Sequence, residues 1–254
     1  MFFMKLLDNT KGNYRFLTGI APYSSGVVAV PGYEIVHAIL QVPRPYRQGF
    51  ELIEQHLTEQ NRPRQALCAI ALRSPKPFTF EGFAEFNQSY QKILADWSLL
   101  VDGHNPVART NVAPEVGPPD EPSLYSFSYT MPGSTSETRT FIVAGAGDLV
   151  EQSLSSQAIV RAGEISTDAV QEKTARVMNT MQTRLTGLQA SWSEVTAVDI
   201  YTVHSLQPFL ALTILERMGS AAIHGVHWFY SRPPIIGLEF EMDMRGVRRE
   251  IRID

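Results

Sequence analysis

The residues of this chain best suited to chemistry sit in two short segments about a hundred residues apart. One is Ala21-Pro22-Tyr23-Ser24-Ser25-Gly26, and the other is Asn105-Pro106-Val107-Ala108-Arg109-Thr110-Asn111-Val112. Arg109 presents a planar, permanently charged fork that donates two parallel hydrogen bonds, a geometry suited to a carboxylate and not matched by lysine. A fainter copy of the layout, Tyr230-Ser231-Arg232, offers a second arginine. A tyrosine in a turn, an arginine and backbone groups at strand ends are enough to hold a small anion. Each residue also has a plainer reading. Arg109 and Arg232 can pair with carboxylates at strand ends, and Tyr23 can simply pack. Glu250 alternates with Arg248 and Arg252 opposite Ile251 and Ile253, so a solvated charge ladder explains it as well as a proton-transfer acid does.

Other chemistries find less support. His224 and His227 stand three apart in an expected strand and so face opposite sides, while His37, His56, His104 and His204 lack a neighbour at ligand spacing. No metal or organic cofactor is expected. Val143-Ala144-Gly145-Ala146-Gly147-Asp148 lacks the last glycine of a dinucleotide fingerprint and the Gly-Lys-Ser/Thr of a phosphate loop. No Gly-x-Ser-x-Gly elbow is present. A net charge of -4 argues against a general nucleic-acid binder. No apolar run approaches the roughly 18 residues that span a bilayer, and the amino terminus reaches Asp8 too soon for a signal peptide, so the cytoplasm is the expected compartment. The single cysteine, Cys68, lies in an apolar run and reads as a buried thiol.

The elements that must position these residues follow from periodicity. Phe50, Ile53 and Leu57 predict a helix over 48–57, and Phe83, Phe86, Tyr90, Ile93 or Leu94, and Trp97 predict another from about 80. Strands are expected at 65–72, 108–112 and 123–129, with the proline-rich 114–122 as a loop. After a linker at 132–138 the order recurs. Strands are expected at 140–144 and 158–162, a helix at 168–190, a strand at 194–203 and a helix at 206–218, then strands at 224–230, 235–242 and 247–253. Leu238, Phe240 and Met242 alternate with Glu239, Glu241 and Asp243, so that strand is expected to cover a core with one face only. Helix, strand, helix, strands occurs twice, which implies an internal duplication, with modules at 1–131 and 132–254. The fold class expected is α+β, each module a mainly antiparallel sheet with helices on one face.

In these segments the sequence resembles the reactive-intermediate deaminase (Rid, or YjgF) family. Ala21-Pro22-Tyr23-Ser24 is similar to that family's opening turn and Leu40-Gln41-Val42-Pro43 to the end of its Ser-Gly-Gln-Ile-Pro segment. Phe83-Ala84-Glu85-Phe86-Asn87-Gln88-Ser89-Tyr90 is similar to its second helix, and Pro106-Val107-Ala108-Arg109 to its Pro-Ala-Arg signature with one residue inserted. In the carboxyl half, 156–164 resembles the strand before the Ser-Gly-Gln segment, retaining Gly163. Tyr230-Ser231-Arg232 stands where Pro-Ala-Arg would be, and Arg249-Glu250-Ile251 resembles the closing strand.

The resemblance implies chorismate-mutase-like modules that close into three-membered rings, so two modules per chain imply a homotrimer. It implies Arg109 and Glu250 as catalytic residues, with Arg109, Arg232, Tyr23, Asn87, Asn111 and Gly163 binding substrate. The tandem arrangement looks most like the branch acting on 2-aminomuconate or 2-amino-5-chloromuconate in aminated-aromatic breakdown. The implied activity is cofactor-independent hydrolysis of a small anionic enamine with release of ammonia. A chorismatase-type lyase or hydrolase acting on a ring-derived dicarboxylate, and a non-catalytic metabolite-binding protein, are the alternatives.

Overall fold

A computed structural model describes residues 4–133, 139–150 and 154–254. The amino half runs through β1 (Leu6–Asn9), β2 (Tyr14–Leu17), β3 (Gly26–Ala29), β4 (Tyr33–Pro45), α1 (Tyr46–Glu59), β5 (Leu67–Arg73), α2 (Phe80–Asp96), β6 (Ala108–Pro114) and β7 (Ser123–Pro132). The carboxyl half follows with β8 (Phe141–Gly147), α3 (Thr167–Gly187), β9 (Ala197–Tyr201), α4 (Glu216–Met218), β10 (His227–Phe229), β11 (Ser231–Arg232), β12 (Glu241–Gly246) and β13 (Arg249–Ile253).

Local chemistry explains the helices. In α1, Tyr46, Phe50, Ile53 and Leu57 recur every three or four residues and are buried on one face. Beyond its end, Asn61 takes φ 55°, a left-handed conformation that asparagine tolerates and that stops the helix. Thr79 starts α2 by accepting a hydrogen bond from Gly82 N at 3.0 Å.

The duplication is written in the topology. β4, β7, β5 and β6 lie side by side in that order, and so do β8, β12, β9 and β10. In both sets the first two pairings are antiparallel and the third is parallel. The fold is thus α+β, a repeated sheet with helices on one face of each copy. Each sheet also accepts strands from the opposite half. β1–β3 extend the carboxyl-half sheet through β8, whereas β13 and β11 add to the two edges of the amino-half sheet beside β4 and β6.

Packing gives four layers. α1 and α2 cover the outer face of one sheet through Phe50, Tyr90, Leu94 and Phe127. α3 and the segment 206–221 cover the outer face of the other through Met178, Met181, Ile214 and Met242. Between the sheets, Tyr14, Phe16, Val27 and Ile142 meet Ile35, Cys68, Ala69 and Ala108.

Several expectations are corrected. Residues 158–162 form no strand; a 3-10 turn at Ser156–Ala158 leads into turns around Gly163, leaving a single bridge from Ile159 to Leu149. The helix expected at 206–218 is a π-helix over Leu210–Leu215 continued by α4 and a 3-10 turn at Gly219–His224. His224 therefore lies in that turn and not on a strand with His227. The strand expected at 235–242 begins only at Glu241, because Leu238 and Phe240 approach in non-strand backbone. Most of the expected linker, 134–138, lies outside the described residues.

Candidate active site

The two segments singled out by residue type lie against each other. Ser24 N donates to Val107 O at 3.0 Å, Ser24 Oγ to Pro106 O at 3.0 Å, and Asn105 Nδ2 to Pro22 O at 2.6 Å. Asn105 Oδ1 in turn accepts from Val107 N at 2.9 Å, so the prolines that deprive the backbone of donors are compensated by one asparagine side chain. This clamp fixes Tyr23 beside the start of β6.

Arg109 is 3% exposed. Its guanidinium lies 4.7 Å from the ring centres of both Tyr23 and Tyr90 and 5.4 Å from that of Phe83, an aromatic surround that stabilises a cation without neutralising it. Nη2 donates to Asn87 Oδ1 on α2 at 2.7 Å, while Nη1 is buried without a partner among the described residues. Burial pulls its pKa below the ordinary arginine value, opposed by the nearby tyrosines and Glu241. Two residues along β6, Asn111 accepts from Ser74 Oγ at 2.9 Å and leaves its Nδ2 buried with no partner among the described residues. Two unsatisfied donors beside one cavity are a costly arrangement for folding alone.

That cavity, about 70 Å³, is completed by the carboxyl half. Tyr23, Phe83, Arg109 and Asn111 form one wall; Gly145, Arg184, Leu238 and Glu241 form the other. β3 pairs with β8 only as far as Val143, and beyond it Arg184 Nη1 donates to Ala144 O and Gly145 O at 2.8 and 3.2 Å. Gly145 is required by close approach, since a Cβ there would run into Glu241 Oε1 and lie 3.1 Å from Thr110 Cγ2. Glu241 is 4% exposed. Burial, and then the charge of Asp243, push its pKa well above the carboxylate range, although Arg109 and Arg184 oppose this. The cavity thus combines two guanidinium groups with a carboxyl group disposed to carry a proton. Beside it, Asp148 closes the end of β8, receiving Lys173 Nζ at 2.8 Å and the amides of Glu239 and Phe240.

Of the residues expected at a site, the structure brings Arg109, Tyr23, Asn87 and Asn111 together. Gly163 takes φ 79° in an exposed turn, with open space where a Cβ would stand. Arg232 lies on β11, 40% exposed, with its Nε 2.7 Å from Glu115 Oε2. The repeat topology matches β6 with β10, so the counterpart of the Arg109 strand is His227–Phe229, not Arg232. Glu250 lines a larger cleft of about 560 Å³ between the sheets, where its Oε1 accepts from Arg245 Nε at 2.5 Å. Glu241, Arg184 and Gly145 were not legible as site residues. The one available signal was Glu241, Asp243 and Arg245 at period two opposite the small residues 144–147, a charged row facing a strand without bulk. Among the described residues, no group of three His, Cys, Asp or Glu side chains is placed to hold a metal ion, and no helix is long and apolar enough to cross a membrane.

Fold and site together define a class: a duplicated α+β protein with an arginine-lined, acid-bearing cavity between its halves. Comparison with known proteins places it further. Residues 6–251 match the family described as 2-aminomuconate deaminase CnbZ, and the chain belongs to that family of deaminases. It is 38% identical over 241 residues to the 2-amino-5-chloromuconate deaminase of Comamonas testosteroni, covering 94% of this chain and 95% of that protein. Among solved structures it is similar to a chorismatase, with TM-score 0.46, 10% identity, and coverage of 95% of this chain and 78% of that one. It is also similar to an endoribonuclease L-PSP from Entamoeba histolytica, with TM-score 0.34, 13% identity, and coverage of 46% and 89%.

Proposed function

We propose that this protein hydrolyses a small unsaturated amino carboxylate, such as 2-aminomuconate or 2-amino-5-chloromuconate, to the corresponding oxo acid and ammonia. The single observation that supports this best is the cavity itself, where Nη1 of Arg109 and Nδ2 of Asn111, buried without partners among the described residues, stand across from the buried carboxyl group of Glu241. In this reading Arg109 anchors the substrate carboxylate, held in plane by Asn87 and covered by Tyr23. Glu241 supplies a proton to the enamine. The iminium ion so formed is electrophilic at carbon and takes up water; one water proton passes to the nitrogen, and as the C–N bond breaks the hydroxyl proton leaves with the ammonia as ammonium, so that Glu241 ends the turnover ionised. Positioning and general acid-base transfer are sufficient chemistry, without a metal or organic cofactor.

Glu250 is the other candidate for the proton carrier. Arg245 and the neighbouring charges hold its pKa below the ordinary glutamate value despite partial burial, which favours the ionised form. Comparing Glu241→Gln with Glu250→Gln decides between them. Ammonia release should fall by about 10² or more in the first variant and stay near wild type in the second. The reverse pattern returns the role to Glu250.

The modules at 1–131 and 132–254 are proposed as units of duplication that exchange edge strands. Three chains would supply six of them, and a homotrimer is proposed on that count, to be checked by light scattering. We also infer a cytoplasmic setting, in keeping with the lone buried Cys68.

A further inference from the structure

The deaminase reading uses only one member of a row of three side chains. On β12, Glu241, Asp243 and Arg245 occupy alternate positions facing the other sheet, while Met242 and Met244 pack into the helical core. Glu241 lines the small cavity, whereas Asp243 and Arg245 line the 560 Å³ cleft between the sheets. Thr110 of β6 stands at the boundary. A single point, the site of a Cβ on Gly145, lies against Glu241 Oε1 and 3.1 Å from Thr110 Oγ1. Thr110 and Asp243 line the same cleft, near enough for the Thr110 side chain to lower the Asp243 pKa.

The polar file continues outward. Tyr201 Oη donates to Asp243 Oδ2 at 3.1 Å, and Asp199 is the residue directly opposite Asp243 on β9. Asp199 Oδ1 lies 2.8 Å from Nδ1 of His227, whose side chain is 58% exposed. The file therefore runs from solvent to the cavity.

We propose that Asp243 and Thr110 form a proton relay that reloads Glu241 from water in the inter-sheet cleft. The proposal rests on the deaminase reading of the cavity. When protonated Glu241 gives its proton to the substrate, it is left as a carboxylate. The Thr110 hydroxyl then donates its hydrogen to Glu241 while accepting the proton of Asp243, and the Asp243 carboxylate recovers one from water in the cleft. No bond other than O–H changes, and the charge of the file is restored.

The surroundings of Asp243 suit that role. Burial, followed by the charge of Asp199, pushes its pKa up to about 7, opposed by Thr110, Arg245 and Tyr201, so near neutrality it can both give and take a proton. The titratable groups facing it are Asp199 and Tyr201 from β9, Glu241 and Arg245 from its own strand, and Arg109 from β6. His227 from β10, Glu250 and Arg252 from β13, Tyr125 from β7, and His37 from β4 share its cleft. Burial and Arg245 lower the His37 pKa to about 4, so His37 is neutral over the working range.

The test measures ammonia release from pH 5.5 to 9 with wild type, Asp243→Asn, Thr110→Val and Thr110→Ser. The relay predicts that Asp243→Asn and Thr110→Val lower kcat by about tenfold or more with KM little changed. It also predicts that the inflection near pH 7 disappears in Asp243→Asn, that Thr110→Ser keeps most of kcat, and that formate restores part of the loss in Asp243→Asn. Folded Asp243→Asn and Thr110→Val proteins with wild-type kcat and pH profile overturn the relay alone. Should Asp243→Asn fail to fold, the Thr110 pair decides by the same criterion. A wild-type protein that releases no ammonia from any enamine acid overturns the deaminase reading and the relay with it.

Discussion

Replacing Arg109 tests the anion site most directly, because the structure separates its functional from its structural contribution. The guanidinium is 3% exposed, makes one charge-assisted hydrogen bond to Asn87 and keeps Nη1 without a partner among the described residues. Arg109→Lys retains the charge but loses the planar fork, and with it at least one charged hydrogen bond to a bound carboxylate. Such a bond is worth about 1.5 to 3 kcal/mol, so kcat/KM should fall by roughly ten- to a hundredfold. Arg109→Met fills similar space with no charge, and relief of the desolvated cation offsets the loss of the Asn87 bond and the aromatic contacts. The melting temperature should therefore stay level or rise while turnover is lost, opposite to the behaviour of a residue kept for stability. The assay is coupled ammonia detection with 2-aminomuconate generated in the cuvette, alongside thermal melts. Arg232→Ala is the control: its ion pair with Glu115 is a surface pair worth about 0 to 1 kcal/mol, and it lies outside the cavity lining, so activity should change less than about threefold. Full turnover by Arg109→Met, or its loss in Arg232→Ala, would show that the wrong arginine has been assigned.

Three further outcomes are expected. Gly145→Ala should lower both activity and stability, the latter by about 1 to 3 kcal/mol, because the added methyl displaces Glu241 and presses on Thr110; unchanged melts and kinetics would contradict the close approach. Asp243 has its pKa raised from 3.8 to about 7, so between those values the folded protein holds a proton that the unfolded chain releases, and the group's contribution to stability is lost as pH rises through that window. The melting temperature of Asp243→Asn relative to wild type should accordingly climb from pH 5 to pH 8, and a flat or falling difference would refute the shift. Burial pushes the Cys68 thiol well above its usual range, so native protein should resist iodoacetamide at pH 8 for as long as it stays folded, with mass spectrometry as the readout.

Local pattern determined much of the architecture. Helical spacing of Phe50, Ile53 and Leu57, and of Phe83, Tyr90 and Leu94, marks α1 and α2, because an apolar stripe every three or four residues can be buried only as a helix face. The recurrence of helix and strand patterns revealed the duplication, and the prolines flanking Tyr23 and preceding Arg109 marked the segments that meet at the cavity. Where local pattern was ambiguous, the expectation failed. Ser156–Ala162 carries apolar residues without a partner strand, and Leu206–Met218 carries a helical stripe that the chain winds into a π-helix.

Only the tertiary structure decided which surfaces face one another. The alternation through Glu241, Asp243 and Arg245 is the same whether the polar side meets water or a second sheet, since period two reports that two faces differ and not what lies opposite either. Here a second sheet covers it, turning what reads as a solvated charge row into a buried acid beside two arginines and a line of titratable groups. Arg232 shows the converse. Its distance from Arg109 in sequence matches the repeat, yet β11 pairs with the edge of β6 in the opposite sheet and delivers its side chain to the surface, because strand pairing follows backbone hydrogen bonds between elements remote in sequence.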